Sequence, residues 1–113
     1  MLKKVKPQAK QKEQPKIKEQ TGKFLAKVPE GSIFWCHDGC TFVDMKELAK
    51  GLVAISDDTF SYHVNTDRND FSKWVKDVIK DEKLASDLAA ANNRMQAAGY
   101  VTARLAVLTG QVV

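Results

Sequence analysis

The chain has 113 residues, of which 43% are hydrophobic and 28% are charged. This length suits one domain, and the composition is ordinary for a globular protein. No apolar run approaches the roughly 18 residues that a membrane-spanning helix needs, and no hydrophobic segment follows the basic N-terminus as in a secretory signal. We therefore expect a cytoplasmic protein that does not associate with a membrane and carries no cofactor.

Charge is distributed unevenly along the sequence. Residues 1–27 contain nine lysines and two acidic residues, a net charge of +7, whereas the remainder has a net charge of −3. Residues 1–20 contain so few apolar side chains that burial cannot offset a backbone entropy of about 1–2 kcal/mol per residue. We predict a disordered tail over 1–22 and a single small helical domain over 23–113.

The tail is the candidate site for an anionic partner such as nucleic acid or the ribosome, because lysines attract phosphate groups. The lysines assigned to this contact are Lys3, Lys4, Lys6, Lys10, Lys12, Lys16 and Lys18. The alternative is a solubilising tail or linker, since residues 1–20 contain no arginine and no aromatic residue that would contact bases.

Residues 33–43 predict a short β-hairpin. Ile33, Phe34 and Trp35 favour a strand, Asp38-Gly39 is a favoured hairpin turn, and 41–43 supply the returning strand. A two-stranded hairpin is marginal in water, so one of its faces must rest on helices.

Two helices are predicted to follow the hairpin. Asp44 and Glu47 have the spacing of a capping box and start a helix with an apolar stripe. Ser56 caps a second helix over 57–64, which Asn65 ends in the left-handed conformation. The apolar residues of these helices are Leu48, Leu52, Ile55, Phe60 and Val64.

The rest of the chain predicts a third helix over 67–79 and a fourth that begins at Asp81 and is broken near Gly99. Apolar spacing in these helices selects Phe71, Trp74, Val75, Val78, Leu84, Leu88 and Met95. The predicted fold class is mainly α (α+β), with a short N-terminal hairpin packed on a bundle of four to five short helices. The alanine-rich seam of the fourth helix packs within the monomer or, as an alternative, forms a homodimer.

Several motifs resemble a family of small uncharacterised archaeal and bacterial proteins that share a domain of unknown function. The matching strings are HDG (37–39), ELAKGL (47–52), SDDTFSYHVN (56–65), NDFSKWVKDV (69–78) and LA (84–85). The resemblance covers residues 33–90 and implies a module without naming an activity. Cys40 departs from the family pattern at its position.

Four polar residues lie between the second and third helices. His63, Asn65, Asn69 and Asp70 can satisfy the free carbonyl and N–H groups that helix ends leave at a corner. A buried polar group without a partner costs about 1–3 kcal/mol. We therefore predict a structural polar clamp, with His63 bonded to Asp70 or to a backbone carbonyl.

Two chemical alternatives use the same region. A His63–Asp70 dyad would need Cys36 or Ser61 as the nucleophile and an oxyanion site, for which no candidate loop exists. We therefore predict no enzymatic activity. Cys36, His37 and Cys40 have zinc-binding chemistry, with His63 as a further candidate ligand. Because the C-x3-C spacing is better explained by the hairpin turn, we predict no metal site.

The function that these features favour is a non-catalytic binding or adaptor module. In this hypothesis the acidic domain docks a partner and the basic tail adds affinity for an anionic polymer. Trp35 and Trp74 occupy apolar positions and are predicted to be core residues instead of stacking platforms for bases. The alternative is a small zinc- or thiol-based sensor that uses Cys36, His37 and Cys40.

Overall fold

The computed structural model describes residues 22–110. In chain order the elements are a helical turn over 22–25, a 3₁₀ turn Glu30–Ser32, strands β1 Phe34–Trp35 and β2 Thr41–Phe42, helices α1 Met45–Ala54, α2 Asp57–His63 and α3 Asp70–Trp74, a π turn Val75–Ile79, and helices α4 Glu82–Ala89 and α5 Arg94–Leu108. The predicted fold class, mainly α with a short hairpin, is confirmed. The predicted tail lies outside the described residues, except that Gly22 belongs to the first helical turn. None of the helices within 22–110 is both long and apolar enough to cross a bilayer.

The hairpin forms where the sequence predicts it. β1 and β2 are antiparallel, with Phe34 opposite Phe42. Gly39 has a φ of 96° and provides the left-handed turn residue. The Asp38 carboxylate accepts a hydrogen bond from the Cys40 N–H at 3.0 Å and stabilises the turn.

A chain of aromatic rings joins the inner face of the hairpin to the helices. Phe34 stacks on Phe42 and on Phe71, with ring centroids 5.7 and 5.0 Å apart. Phe71 in turn stacks on Phe60 of α2 at 5.6 Å. These four rings are buried, so the hairpin is held on the bundle by apolar burial, as a two-stranded unit requires.

Side-chain caps set the starts of α1 and α2. The Asp44 carboxylate accepts from the Glu47 N–H at 2.8 Å, and the Glu47 carboxylate accepts from the Val43 N–H at 3.0 Å. The second bond lies one residue before the usual capping-box position. Ser56 Oγ accepts from the Thr59 N–H at 3.0 Å, which caps α2.

The corner between α2 and α3 differs from the sequence-based prediction. α2 ends at an extended Val64 and not at a left-handed Asn65. Residues 66–68 belong to the turn, so the third helix begins at Asp70 and not at residue 67. Asn69 is the helix cap, and a helix that began earlier would lose this cap.

The C-terminal half of the bundle contains a second difference. The helical segment is interrupted between α4 and α5, and not near Gly99 as predicted. Helix α5 continues through Gly99 without interruption. Asn93 caps α5 by accepting from the Gln96 N–H at 2.8 Å. A glycine within a helix costs only about 1 kcal/mol relative to alanine, which the packing of α5 against α1 offsets. Met95 is exposed, whereas Leu84 and Leu88 are buried within the monomer, so the predicted seam is not one continuous face.

A buried ion pair fixes α4 to α5. Asp81 is 1% exposed, and its carboxylate oxygens accept from Arg104 Nε at 2.7 Å and Nη2 at 3.1 Å. The same carboxylate caps α4 at the Leu84 N–H. A buried charge is tolerated only when it is paired and hydrogen-bonded, and this pair ties the start of α4 to α5.

Two helical glycines provide a matched test of the packing. A Cβ atom at Gly51 in α1 would overlap the ring of Phe42, whereas a Cβ at Gly99 in α5 would meet nothing within 4 Å. We predict that Gly51→Ala lowers the free energy of unfolding by about 1–3 kcal/mol through overpacking. Gly99→Ala should raise it by about 0.5–1 kcal/mol through helix propensity. Urea denaturation measures both, and equal effects of the two substitutions would contradict the packing of the hairpin on α1.

Candidate functional site

The imidazole of His63 lies where the hairpin turn, the end of α2 and the start of α3 meet. Its Nε2 atom is 2.9 Å from the backbone nitrogen of His37, and its Nδ1 atom is 2.9 Å from Oδ2 of Asp70. The residue is 5% exposed, and its ring packs against Phe34 and Phe71. One side chain therefore connects three segments of the protein.

The hydrogen-bond partners determine the tautomer of this ring. A backbone N–H can only donate, so Nε2 of His63 must be the acceptor. Nδ1 then carries the proton and donates a hydrogen bond to the Asp70 carboxylate. A general base needs a nitrogen open to substrate, and both nitrogens of this ring are already bonded.

The two asparagines of the predicted clamp shape the turn on either side. Asn65 Oδ1 accepts from the N–H groups of Asp67 and Arg68 at 2.8 and 3.1 Å. Asn69 Oδ1 accepts from the Ser72 N–H at 3.0 Å, and its amide nitrogen donates to a carbonyl of α4 at 3.0 Å. The structure thus brings His63 and Asp70 into contact, while Asn65 shapes the turn and Asn69 both caps α3 and bonds to α4.

Exposed aromatic and basic side chains lie on the hairpin and on the outside of this corner. Trp35 is 68% exposed and Tyr62 is 48% exposed. The rings of His37 and Tyr62 stack with centroids 3.8 Å apart and planes 14° apart, and the Arg68 guanidinium lies 5.2 Å from the Tyr62 ring centroid. We refer to Trp35, His37, Tyr62 and Arg68 as the aromatic surface.

The prediction that both tryptophans are core residues is half wrong. Trp74 is buried and donates from Nε1 to the Ser32 carbonyl at 2.7 Å. Trp35 is exposed because side chains alternate along a strand and Phe34 takes the inward position. This period of two was readable in the sequence, since two adjacent strand residues cannot face the same side.

The surroundings of both hairpin cysteines disfavour the thiolate form. Burial, together with the charges of Asp38 and Cys40, raises the pKa of the Cys36 thiol to about 12. The charge of Asp38 and a hydrogen bond to it raise the pKa of the exposed Cys40 thiol. Because the thiolate is the reactive and metal-binding form, both groups stay protonated near neutral pH.

A metal centre is also not apparent in the described part of the chain. Within residues 22–110, no group of three or more His, Cys, Asp or Glu side chains is arranged to hold a metal ion. Cys36 points into the core while His37 and Cys40 are exposed, so the three candidate ligands do not share one side of the hairpin. The seven candidate lysines of the tail lie outside the described residues.

Comparison of the chain with family models, curated proteins and solved structures finds no match. The resemblance of residues 33–90 to a family of unknown function stays a prediction.

The role of His63 gives a testable prediction. His63→Ala should lower the free energy of unfolding by about 2–4 kcal/mol, because it removes a buried ring and leaves the Asp70 carboxylate without this donor. Ser61→Ala, at an exposed position of α2, should stay within about 0.5 kcal/mol of the parent. Chemical denaturation measures both, and a His63→Ala protein as stable as the parent would refute the clamp.

Proposed function

We propose that the protein is a non-catalytic binding module for single-stranded nucleic acid. In this proposal the aromatic surface stacks on unpaired bases, and the lysine-rich tail contacts phosphate groups. The observation that carries the proposal is the 68% exposure of Trp35, which lies two residues before His37, whose ring stacks on Tyr62.

The chemistry of the aromatic surface supports this class of partner. Proteins that bind single strands combine aromatic platforms for bases with cationic groups for the backbone. The indole of Trp35 is free to offer a π face, and Arg68 places a guanidinium beside Tyr62. Arginine at such a position contributes both charge and cation–π attraction.

The charge distribution supports a second, nonspecific contribution. Residues 1–22 contain seven lysines and two acidic residues, which gives this segment a net charge of +5. Each phosphate that a lysine neutralises releases condensed counterions, so binding should weaken steeply as salt rises. Stacking on Trp35 is less sensitive to salt, which makes the two contributions separable.

The state of the polar residues supports a role in binding without catalysis. Both ring nitrogens of His63 are engaged in hydrogen bonds, and the pKa of each cysteine thiol is raised. The hydrogen bonds of His63 and the raised pKa values of Cys36 and Cys40 therefore disfavour acid–base chemistry by this histidine and nucleophilic chemistry by these thiols.

Binding of a single-stranded oligouridine, followed by anisotropy, tests the contribution of Trp35. Trp35→Ala should reduce affinity about five- to hundredfold, the effect of losing one stacked base. Met95→Ala, at an apolar position that is also exposed but lies on α5, should leave affinity unchanged. A duplex of the same length should bind more weakly than the single strand.

Replacing the seven tail lysines by glutamine tests the electrostatic contribution. The variant should show a shallower dependence of log affinity on log salt concentration, because fewer counterions are released. Unaltered affinity and salt dependence in this variant would refute a role for the tail. Equal affinity of the parent and Trp35→Ala would refute stacking on the aromatic surface.

A further inference from the structure

A half-open groove lies on a different part of the molecule from the aromatic surface. One wall is the 23–29 segment and the other is the end of the π turn with Lys80, and together they enclose a cavity of about 490 Å³. This volume is within the range of roughly 300–1,000 Å³ that is typical of small-molecule sites. The 23–29 wall is attached to the hairpin, since the Val28 N–H donates to the Val43 carbonyl at 2.8 Å.

The lining of the groove combines apolar side chains with lysines. Phe24, Val28, Val78 and Ile79 supply apolar surface. Lys23, Lys27 and Lys80 are the charged lining residues, and no acidic residue belongs to the lining. None of these three lysines forms an ion pair with another residue of the 22–110 segment. The groove therefore matches a ligand with an apolar body and a negative charge.

The backbone at Lys80 is unusual. Lys80 has a φ of 75° and is the one non-glycine residue within 22–110 with a positive φ. It ends the π turn, where its N–H reaches back five residues to the Val75 carbonyl at 2.7 Å. Glycine or asparagine adopts this conformation more readily than lysine. Both π turns and strained backbone positions occur frequently at functional sites.

From these observations we infer that the groove binds a single-chain anionic amphiphile, such as a medium-chain alkyl carboxylate. The alkyl chain lies against Phe24, Val28, Val78 and Ile79, and the carboxylate is held by the lysines. Lys80, which lines the groove at a left-handed backbone position, is a ligand-binding residue. This inference does not depend on the nucleic-acid proposal, because it uses a different surface.

Calorimetric titration of the full chain with sodium decanoate below its micellar concentration tests the inference. One decanoate should bind per chain, and decyltrimethylammonium, which has the same chain length and the opposite charge, should not bind. Hexanoate should bind more weakly than decanoate because it buries fewer methylene groups. Absence of saturable decanoate binding, or equal binding of the cationic amphiphile, would overturn the inference.

Substitution at Lys80 separates ligand binding from folding. Lys80→Gly should weaken decanoate binding about two- to fivefold, as for loss of a partly exposed ion pair, while the melting temperature stays equal or rises. Asparagine also tolerates the left-handed conformation, so Lys80→Asn serves as the second variant. It should weaken decanoate binding to a similar extent without lowering the melting temperature. Lys50→Gln removes an exposed lysine of α1 that does not line the groove, and should leave affinity unchanged.

The pattern of effects identifies the site. Chemical-shift changes on titration should concentrate at Phe24, Val78 and Ile79. Changes centred on Trp35, or equal weakening by the Lys80 and Lys50 substitutions, would show surface association of a detergent-like molecule and refute the groove as the site.

Discussion

The two hydrogen bonds of the His63 ring connect the hairpin turn to both helices of the corner. The bond from the His37 N–H to Nε2 fixes the backbone at the tip of the hairpin. That position places the His37 ring against Tyr62, the residue that directly precedes His63 in α2. The buried imidazole thus supports the exposed aromatic surface, because the bond that holds the corner also orients one of its rings. The His63 side chain therefore contributes both to the stability of the fold and to the orientation of the surface proposed to contact nucleic acid.

A second constraint acts at the opposite end of α3. The π turn brings the chain to a left-handed Lys80, and the next residue, Asp81, turns inward to pair with Arg104 at 2.7 Å. The buried ion pair holds the backbone on one side of Lys80, and the bond to the Val75 carbonyl holds it on the other. Because the N–H of Lys80 and the residue that follows it are both held, an unfavourable φ at Lys80 is maintained. The inferred amphiphile site depends on this arrangement.

Local signals in the sequence predicted much of this structure, and tertiary packing accounts for the errors. Asp44 and Ser56 start helices as predicted, because a cap needs only residues within one turn. The hairpin was predicted correctly from Asp38-Gly39, because a turn also depends only on neighbouring residues. The π turn, the Asp81–Arg104 pair and the continuous helix through Gly99 depend on contacts across 20 or more residues or on packing, which local spacing does not encode. In the candidate site, the His63–Asp70 contact was predicted from the sequence, but the hydrogen bond between His63 and the His37 backbone was not. The prediction that Trp35 is a core residue was wrong because it did not take strand alternation into account.

The protonation state of His63 tests the central claim most directly. Long-range nitrogen–proton NMR correlations on ¹⁵N-labelled protein at neutral pH report which ring nitrogen carries the proton. We predict a neutral ring protonated at Nδ1, together with a coupling across the hydrogen bond between the His37 amide nitrogen and Nε2. A ring protonated at Nε2, or one that averages between the two tautomers, would contradict the account, because Nε2 would then not be a fixed acceptor for the hairpin.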